Sequence, residues 1–290
     1  MREDPPPMSG VLRKPGVWAV AALFALVYAP TAVWFVERWS MGVWWHIHGF
    51  VVFPVAFWLG WRRLRSLPPS PPSHSALGFL FLVPAALLQV LDAMLGFEIL
   101  SAASMLLAIL GLALLLLGRE RAKAIWFPLL FLGFAIPIPL FVARPIHMVL
   151  RQISAVGTTG ALDLLGYDVH RTGLHLEVGP ERLEIADACS GFSTLMAMLM
   201  VAPLLGYLGR MRWWKAALMV LAVFPAALAA NVARCILLSM LIVAFGSGIL
   251  STAVHPISGM FTFAVALGLL LGLERLLTPQ PPPAPAEARS

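Results

Sequence analysis

AALMVLAVFPAALAANVARCIL, residues 216–237, is the stretch that decides the fold. Apart from Asn231 and Arg234 it carries no strongly polar side chain. About 20 apolar residues in a row is the length that crosses a bilayer core. The apolar character runs on to Phe245, which makes 30 residues from Ala216. That is too long for one upright helix, so the segment either tilts or breaks near Asn231.

Seven more runs of the same kind lie outward from it, at 17–36, 43–61, 76–91, 99–117, 125–142, 191–208 and 256–273. Over all 290 residues 60% are apolar and 12% charged, with a mean hydropathy of +0.87. A soluble domain carries about 45–50% apolar and about 25% charged residues, so the surplus must face lipid. The expected fold is an all-α polytopic membrane protein of about eight transmembrane helices. The first run is long for a signal-peptide core and lacks a small-residue cleavage site, so it reads as a retained anchor.

The net charge of +6 does not point to nucleic acid, because the basic residues sit in short clusters between apolar runs. With the N-terminus inside, fourteen Lys and Arg fall on the inner side: Arg2, Arg13, Lys14, Arg62, Arg63, Arg65, Arg119, Arg121, Lys123, Arg210, Arg212, Lys215, Arg275 and Arg289. Five fall outside: Arg38, Arg144, Arg151, Arg171 and Arg182. This bias predicts a multi-pass protein of the plasma membrane with both termini cytoplasmic. The organisation expected is a disordered N-terminus at 1–16, a transmembrane region at 17–124, a catalytic membrane core at 125–277 and a disordered Pro-rich tail at 278–290.

The connection 143–188 is then extracytoplasmic. Its part 145–166 has helical spacing and suits an amphipathic helix on the membrane surface. Its part 167–188 alternates, with a turn at Val178-Gly179-Pro180-Glu181, and reads as a small β-hairpin.

Three residues stand out against this background. Cys189 opens a span behind Asp187, Arg234 lies deep within one, and His255 opens the last. The topology brings all three to the outer face. A thiolate is a nucleophile when a base or cation lowers its pKa. An imidazole can take the thiol proton and return it to a leaving amine. A guanidinium suits a developing oxyanion, and a helix N-terminus favours negative charge at Cys189. Each also has a plainer reading. Cys is often a small buried apolar residue, and a span-opening His is often merely solvated. Arg234 could snorkel or pair with Asp92 or Glu98, although a charge at mid-span costs at least about 2.5–3.5 kcal/mol and is functional by default. Cys235, amid Ile236, Leu237 and Leu238, reads as structural.

At these residues the sequence resembles the exosortase/archaeosortase family. Phe134-Ala135-Ile136-Pro137-Ile138-Pro139 is similar to that family's Pro-x-Pro region. Leu164-Leu165-Gly166-Tyr167-Asp168-Val169 with Arg171-Thr172-Gly173 looks like its hairpin. Ala188-Cys189-Ser190-Gly191, Asn231-Val232-Ala233-Arg234 and His255 with Gly259 match its Cys, Asn-x-x-Arg and His motifs in order.

The resemblance covers about 129–273 and implies a cysteine transpeptidase with a Cys189–Arg234–His255 triad. It implies substrates anchored by a C-terminal tail: a short motif such as Pro-Glu-Pro, a transmembrane helix and a basic cluster. It further implies cleavage through a thioester at the outer face and transfer to a surface acceptor, a lipid or polysaccharide. Ser190, Gly191, Ser193, Asn231 and Asp187 would support the triad, although Asn231 reads equally as a helix–helix hydrogen bonder. Asp187 alone beside a thiol would raise its pKa.

No cofactor and no metal are expected. His46-x-His48 has a spacing that points two rings apart on a helix, and Trp44 and Trp45 beside it suggest an interfacial belt. His147, His170 and His175 line substrate access or simply meet solvent. Two other classes use the same residues differently: a cysteine-dependent membrane acyltransferase or intramembrane protease, and a non-enzymatic transporter or polysaccharide-assembly scaffold indifferent to loss of Cys189.

Overall fold

The computed structural model describes residues 15–41, 48–68, 73–185 and 190–278. The chain divides into two compact units, residues 1–139 and 140–290. The regions expected to be disordered, 1–16 and 278–290, lie almost wholly outside the described residues, as does the start of the run at 43–61.

In the first unit, α1 (Pro15–Ser40) and α2 (Gly49–Arg65) precede a 3-10 turn (Ala76–Gly78) that leads into α3 (Phe79–Leu95). Then come α4 (Ile99–Ala124), α5 (Trp126–Phe131) and a 3-10 turn at Leu132–Ala135. Helices α3 and α4 touch backbone to backbone. A Cβ at Gly78 would stand 2.5 Å from the Gly111 carbonyl oxygen, so neither glycine can be exchanged without parting the pair. Hydroxyls then tie the helices together. Tyr28 and Ser104 share a hydrogen bond of 2.7 Å, and Ser104 also donates to the Ala85 carbonyl at 2.7 Å. Thr31 bonds Ser101, which donates to Gln89 at 2.9 Å. In lipid, such interhelical bonds contribute about 0.6–2 kcal/mol each. At the end of α2, Arg62 and Arg65 lie over the rings of Trp58 and Trp61 at 5.4 and 4.3 Å. Basic and indole groups together are what a membrane interface selects.

The second unit opens with α6 (Leu140–Leu164), followed by β1 (Val169–Thr172), β2 (His175–Val178) and β3 (Glu181–Glu184). It continues with α7 (Phe192–Leu208), α8 (Trp213–Phe245), a 3-10 turn (Ser247–Ser251) and α9 (Val254–Leu277). Its core is built from one face each of α7, α8 and α9, with Leu195, Met198, Met219, Val223, Ala227, Ala266 and Leu270 buried together.

Among the described residues five helices are long and apolar enough to cross a membrane: α1, the Ala76–Leu95 segment, α4, α8 and the Pro256–Leu277 part of α9. The number is six when the broken stretch from Trp126 to Leu164 is counted as one span. This is a multi-pass, helical membrane protein. The eight apolar runs all carry helix, and by length and composition five or six of them qualify as spans among the described residues. Helices α2 and α7 have 17 residues each. The run at 125–142 is not one helix: it leaves helical geometry at Ile136 (φ −70°, ψ 121°) and restarts at Leu140. The cause is Pro137 and Pro139, since a residue before proline is pushed out of the α region and proline has no N–H to offer.

Two other expectations are sharpened. Helix α8 does not break at Asn231; its 33 residues run unbroken through Pro225 for about 50 Å, longer than the hydrocarbon core, so it must tilt or project. The hairpin is a three-stranded antiparallel sheet in the order β1-β2-β3. The alternating stretch 169–178 folds back on itself at Gly173, whose φ of +64° is open to a residue without a side chain. Thr172 pairs with His175, and Val178 with both Val169 and Glu181. Leu176 and Val178 face inward onto Ala155 and Leu162 of α6 and Cys235 and Leu238 of α8.

Candidate active site

The site is built where α8 meets the beginnings of α7 and α9. Asn231 and Arg234 stand three residues apart on α8, hence on one face, and both are buried, at 1% and 6% exposure. A buried guanidinium needs hydrogen-bond partners to offset its lost hydration. One comes from α9: Arg234 Nε donates to Ser258 Oγ at 2.9 Å. Ser258 follows His255 by one turn of α9 and is itself 3% exposed. Gly259 completes the contact, because a Cβ there would stand 3.9 Å from Arg234 Nη2. The first turns of α9, which carry His255, thus pack on Arg234.

Helix α7 meets α8 one turn away. Gly191 precedes α7 with φ +75°, and a Cβ there would fall 2.8 Å from Asn231 Cγ. Glycine is required twice over: for the backbone angle, and for the close approach. Ser190 is buried. Its Oγ accepts the Phe192 N–H at 3.2 Å, closing a short turn at the start of the helix. Ser193 is exposed in the first turn of α7. Cys189 and Asp187 lie outside the described residues; His255 is placed as a position on α9, its side chain outside the described set.

Helix α6 contributes a stripe that sequence reading did not single out. Ser154 Oγ accepts from Asn231 Nδ2 at 2.8 Å. Arg151 Nε donates to the Ile185 carbonyl at 2.6 Å. His147 Nδ1 shares a hydrogen bond of 3.0 Å with Ser190 Oγ, and its ring stacks on Phe192 with centroids 4.2 Å apart. His147, Arg151 and Ser154 have the spacing i, i+4, i+7, which is one helix face. That spacing is visible in the sequence. The sequence alone offers His147 as lining substrate access or meeting solvent and Arg151 as an outer-side charge, and nothing in it marks Ser154.

Chemically, the arrangement offers a buried cation on α8 with a polar partner from α9, and an amide on the same face of α8 with a polar partner from α6. The start of α7 lies against Asn231 one turn away, and a helix N-terminus favours an anion.

In comparison with known families, residues 44–272 match the transmembrane exosortases. Searches of curated proteins and of solved structures find no match. The matched region contains Gly191, Asn231, Arg234 and Ser258, the residues whose contacts join α7, α8 and α9. The chain belongs to the transmembrane exosortase family.

Proposed function

We propose that this protein is a membrane-embedded cysteine transpeptidase that cleaves the C-terminal sorting tail of membrane-anchored proteins at the extracytoplasmic face of the plasma membrane. The observation that carries the reading is Arg234. It is buried in a chain of this family, within a helix that spans lipid, and is held by Ser258 one turn from His255. A cation kept there at a cost of several kcal/mol has a task that a neutral residue cannot perform.

In this reading the Cys189 thiolate attacks the scissile carbonyl, and its charge passes to the carbonyl oxygen, which Arg234 stabilises. Collapse of this intermediate breaks the C–N bond. His255, holding the thiol proton, gives it to the leaving amine, and a thioester remains. An acceptor nucleophile on a lipid or polysaccharide then attacks the thioester, loses its proton to His255, and takes the acyl group. The thiol receives the proton back. Asn231 and Gly191 keep the start of α7 seated on α8.

The test is a secreted reporter ending in Pro-Glu-Pro, an apolar helix and a basic cluster, expressed with the full chain and read by mass spectrometry of its new C-terminus. An adduct on that carboxyl is expected with the wild-type chain, and no cleavage with Cys189→Ser. Unaltered processing in Cys189→Ser would remove the mechanism. A free carboxylate in place of an adduct would make the enzyme a hydrolytic membrane protease.

A further inference from the structure

Helix α6 holds both sides of one short segment. Arg151 takes the carbonyl of Ile185 at 2.6 Å, and His147 takes the hydroxyl of Ser190 at 3.0 Å. The four residues between those anchor points end with Cys189. His147 and Arg151 are one helical turn apart, so a single rigid rod fixes the spacing of the two ends. The rod is itself fixed to α8, because Ser154 on the same stripe bonds Asn231 at 2.8 Å. Three further features set His147 apart from a solvated surface histidine. Its Nδ1 is engaged with a serine that is 2% exposed, its ring lies flat on Phe192, and Phe192 is 0% exposed.

We propose that His147 and Arg151 are positioning residues: a two-point clamp that sets the backbone on either side of Cys189 and so the reactivity of its thiol. The proposal rests on the reading of Cys189 as the nucleophile. His147 acts through Ser190, and Arg151 through Ile185. Ser190, one of the two held points, follows Cys189 in sequence and stands just before α7, whose N-terminal end favours negative charge. Misplacement of a reacting group by about 1 Å can cost about 10²-fold in rate.

Alkylation of Cys189 by a sulfonated maleimide, followed on the full chain in native membranes with Cys235→Ala as background, reads this without any substrate. His147→Phe keeps the ring on Phe192 and loses the hydrogen bond; a drop in alkylation rate of about tenfold is expected. His147→Asn restores a polar atom at the position of Nδ1 and should recover to within about threefold of wild type. Arg151→Gln should slow the reaction as His147→Phe does. Because His147 works through the Ser190 hydroxyl, His147→Phe combined with Ser190→Ala should be no slower than Ser190→Ala alone.

Wild-type or faster alkylation in His147→Phe or in Arg151→Gln would overturn the clamp, as would multiplied effects in the double variant or failure of His147→Asn to recover. Membrane levels of each variant separate slow chemistry from loss of fold, and recovery in His147→Asn does so independently. Should Cys189→Ser still process the reporter, it is the transpeptidase reading that fails; should Cys189→Ser be dead while His147→Phe alkylates normally, only the clamp fails.

Discussion

Two polar clusters lie inside apolar helices of this protein, one in each unit, and they are made of different materials. The first joins α1, α3 and α4 through Tyr28, Ser104, Thr31, Ser101 and Gln89, all neutral groups bonded to each other or to a backbone carbonyl. The second joins α6, α7, α8 and α9 through Ser154, Asn231, Arg234, Ser258, Ser190 and His147. Serine recurs in both as the small partner that lets helices stay close. The difference is the guanidinium, the imidazole and the glycine at positive φ, found in the second cluster. Neutral hydroxyls between helices do what helix association in lipid requires. A buried cation joined to a second helix costs more than helix association requires, and on that ground the second cluster is the one we propose as the working one.

The comparison breaks first at Arg234. Arg234→Lys keeps the charge but loses the planar fork, including the Nε that meets Ser258 at 2.9 Å. Processing of the reporter should fall by about 10²–10³-fold, the range for loss of an oxyanion donor, while membrane insertion is retained. Normal turnover in Arg234→Lys would show that charge alone matters and that the fork is incidental.

Gly191→Ala should come next. The new Cβ would meet Asn231 Cγ at 2.8 Å, and Asn231 cannot swing aside without leaving Ser154. Together with a positive φ this should cost about 1–3 kcal/mol of stability and lower processing with it, measurable as a shifted thermal transition in detergent. Pairing it with Asn231→Ala should relieve the clash but not the backbone strain, so stability should recover only in part. Full recovery would show that crowding, and not the backbone angle, is the constraint.

How much of this was legible in the sequence differs between the clusters. The apolar runs and the basic residues that bracket them marked a polytopic membrane protein directly, because length and charge are read one residue at a time. Arg234 stood out for the same reason: a charge in a 22-residue apolar run is costly, although snorkelling or a pair with Asp92 or Glu98 was open to it as well. The break at Ile136-Pro137-Ile138-Pro139 was written in the two prolines, yet the hydropathy across 125–142 masked it. The turn at Gly173 was hidden likewise inside a stretch that alternates well. Partners on other helices were not legible at all. Nothing local to Ser154, Ser190 or Ser258 says which helix will face it, and the contact of His147 with Ser190 is seen only when α6 is in place.

The neutral cluster gives the contrasting test. Ser104→Ala removes both the Tyr28 contact and the bond to the Ala85 carbonyl, each 2.7 Å. A loss of about 0.6–2 kcal/mol of stability is expected, with processing per folded molecule unchanged. A selective fall in processing would mean that the first cluster also serves the chemistry.

The smallest effect should come from Cys235. It is 1% exposed, packed among Ala155, Leu162, Leu176 and Leu238, and its sulfur lies 4.0 Å from Asn231 Nδ2. That sulfur is a weak acceptor, and Asn231 keeps its 2.8 Å bond to Ser154 without it. Cys235→Ala therefore removes one buried sulfur atom and should cost about 1 kcal/mol in packing, with processing close to wild type. The two cysteines stand on opposite sides of Asn231 along the sequence, and only one of them is flanked by the residues that α6 and α8 hold. A dead Cys235→Ala beside an active Cys189→Ser would exchange their roles and move the nucleophile into α8, beneath the sheet.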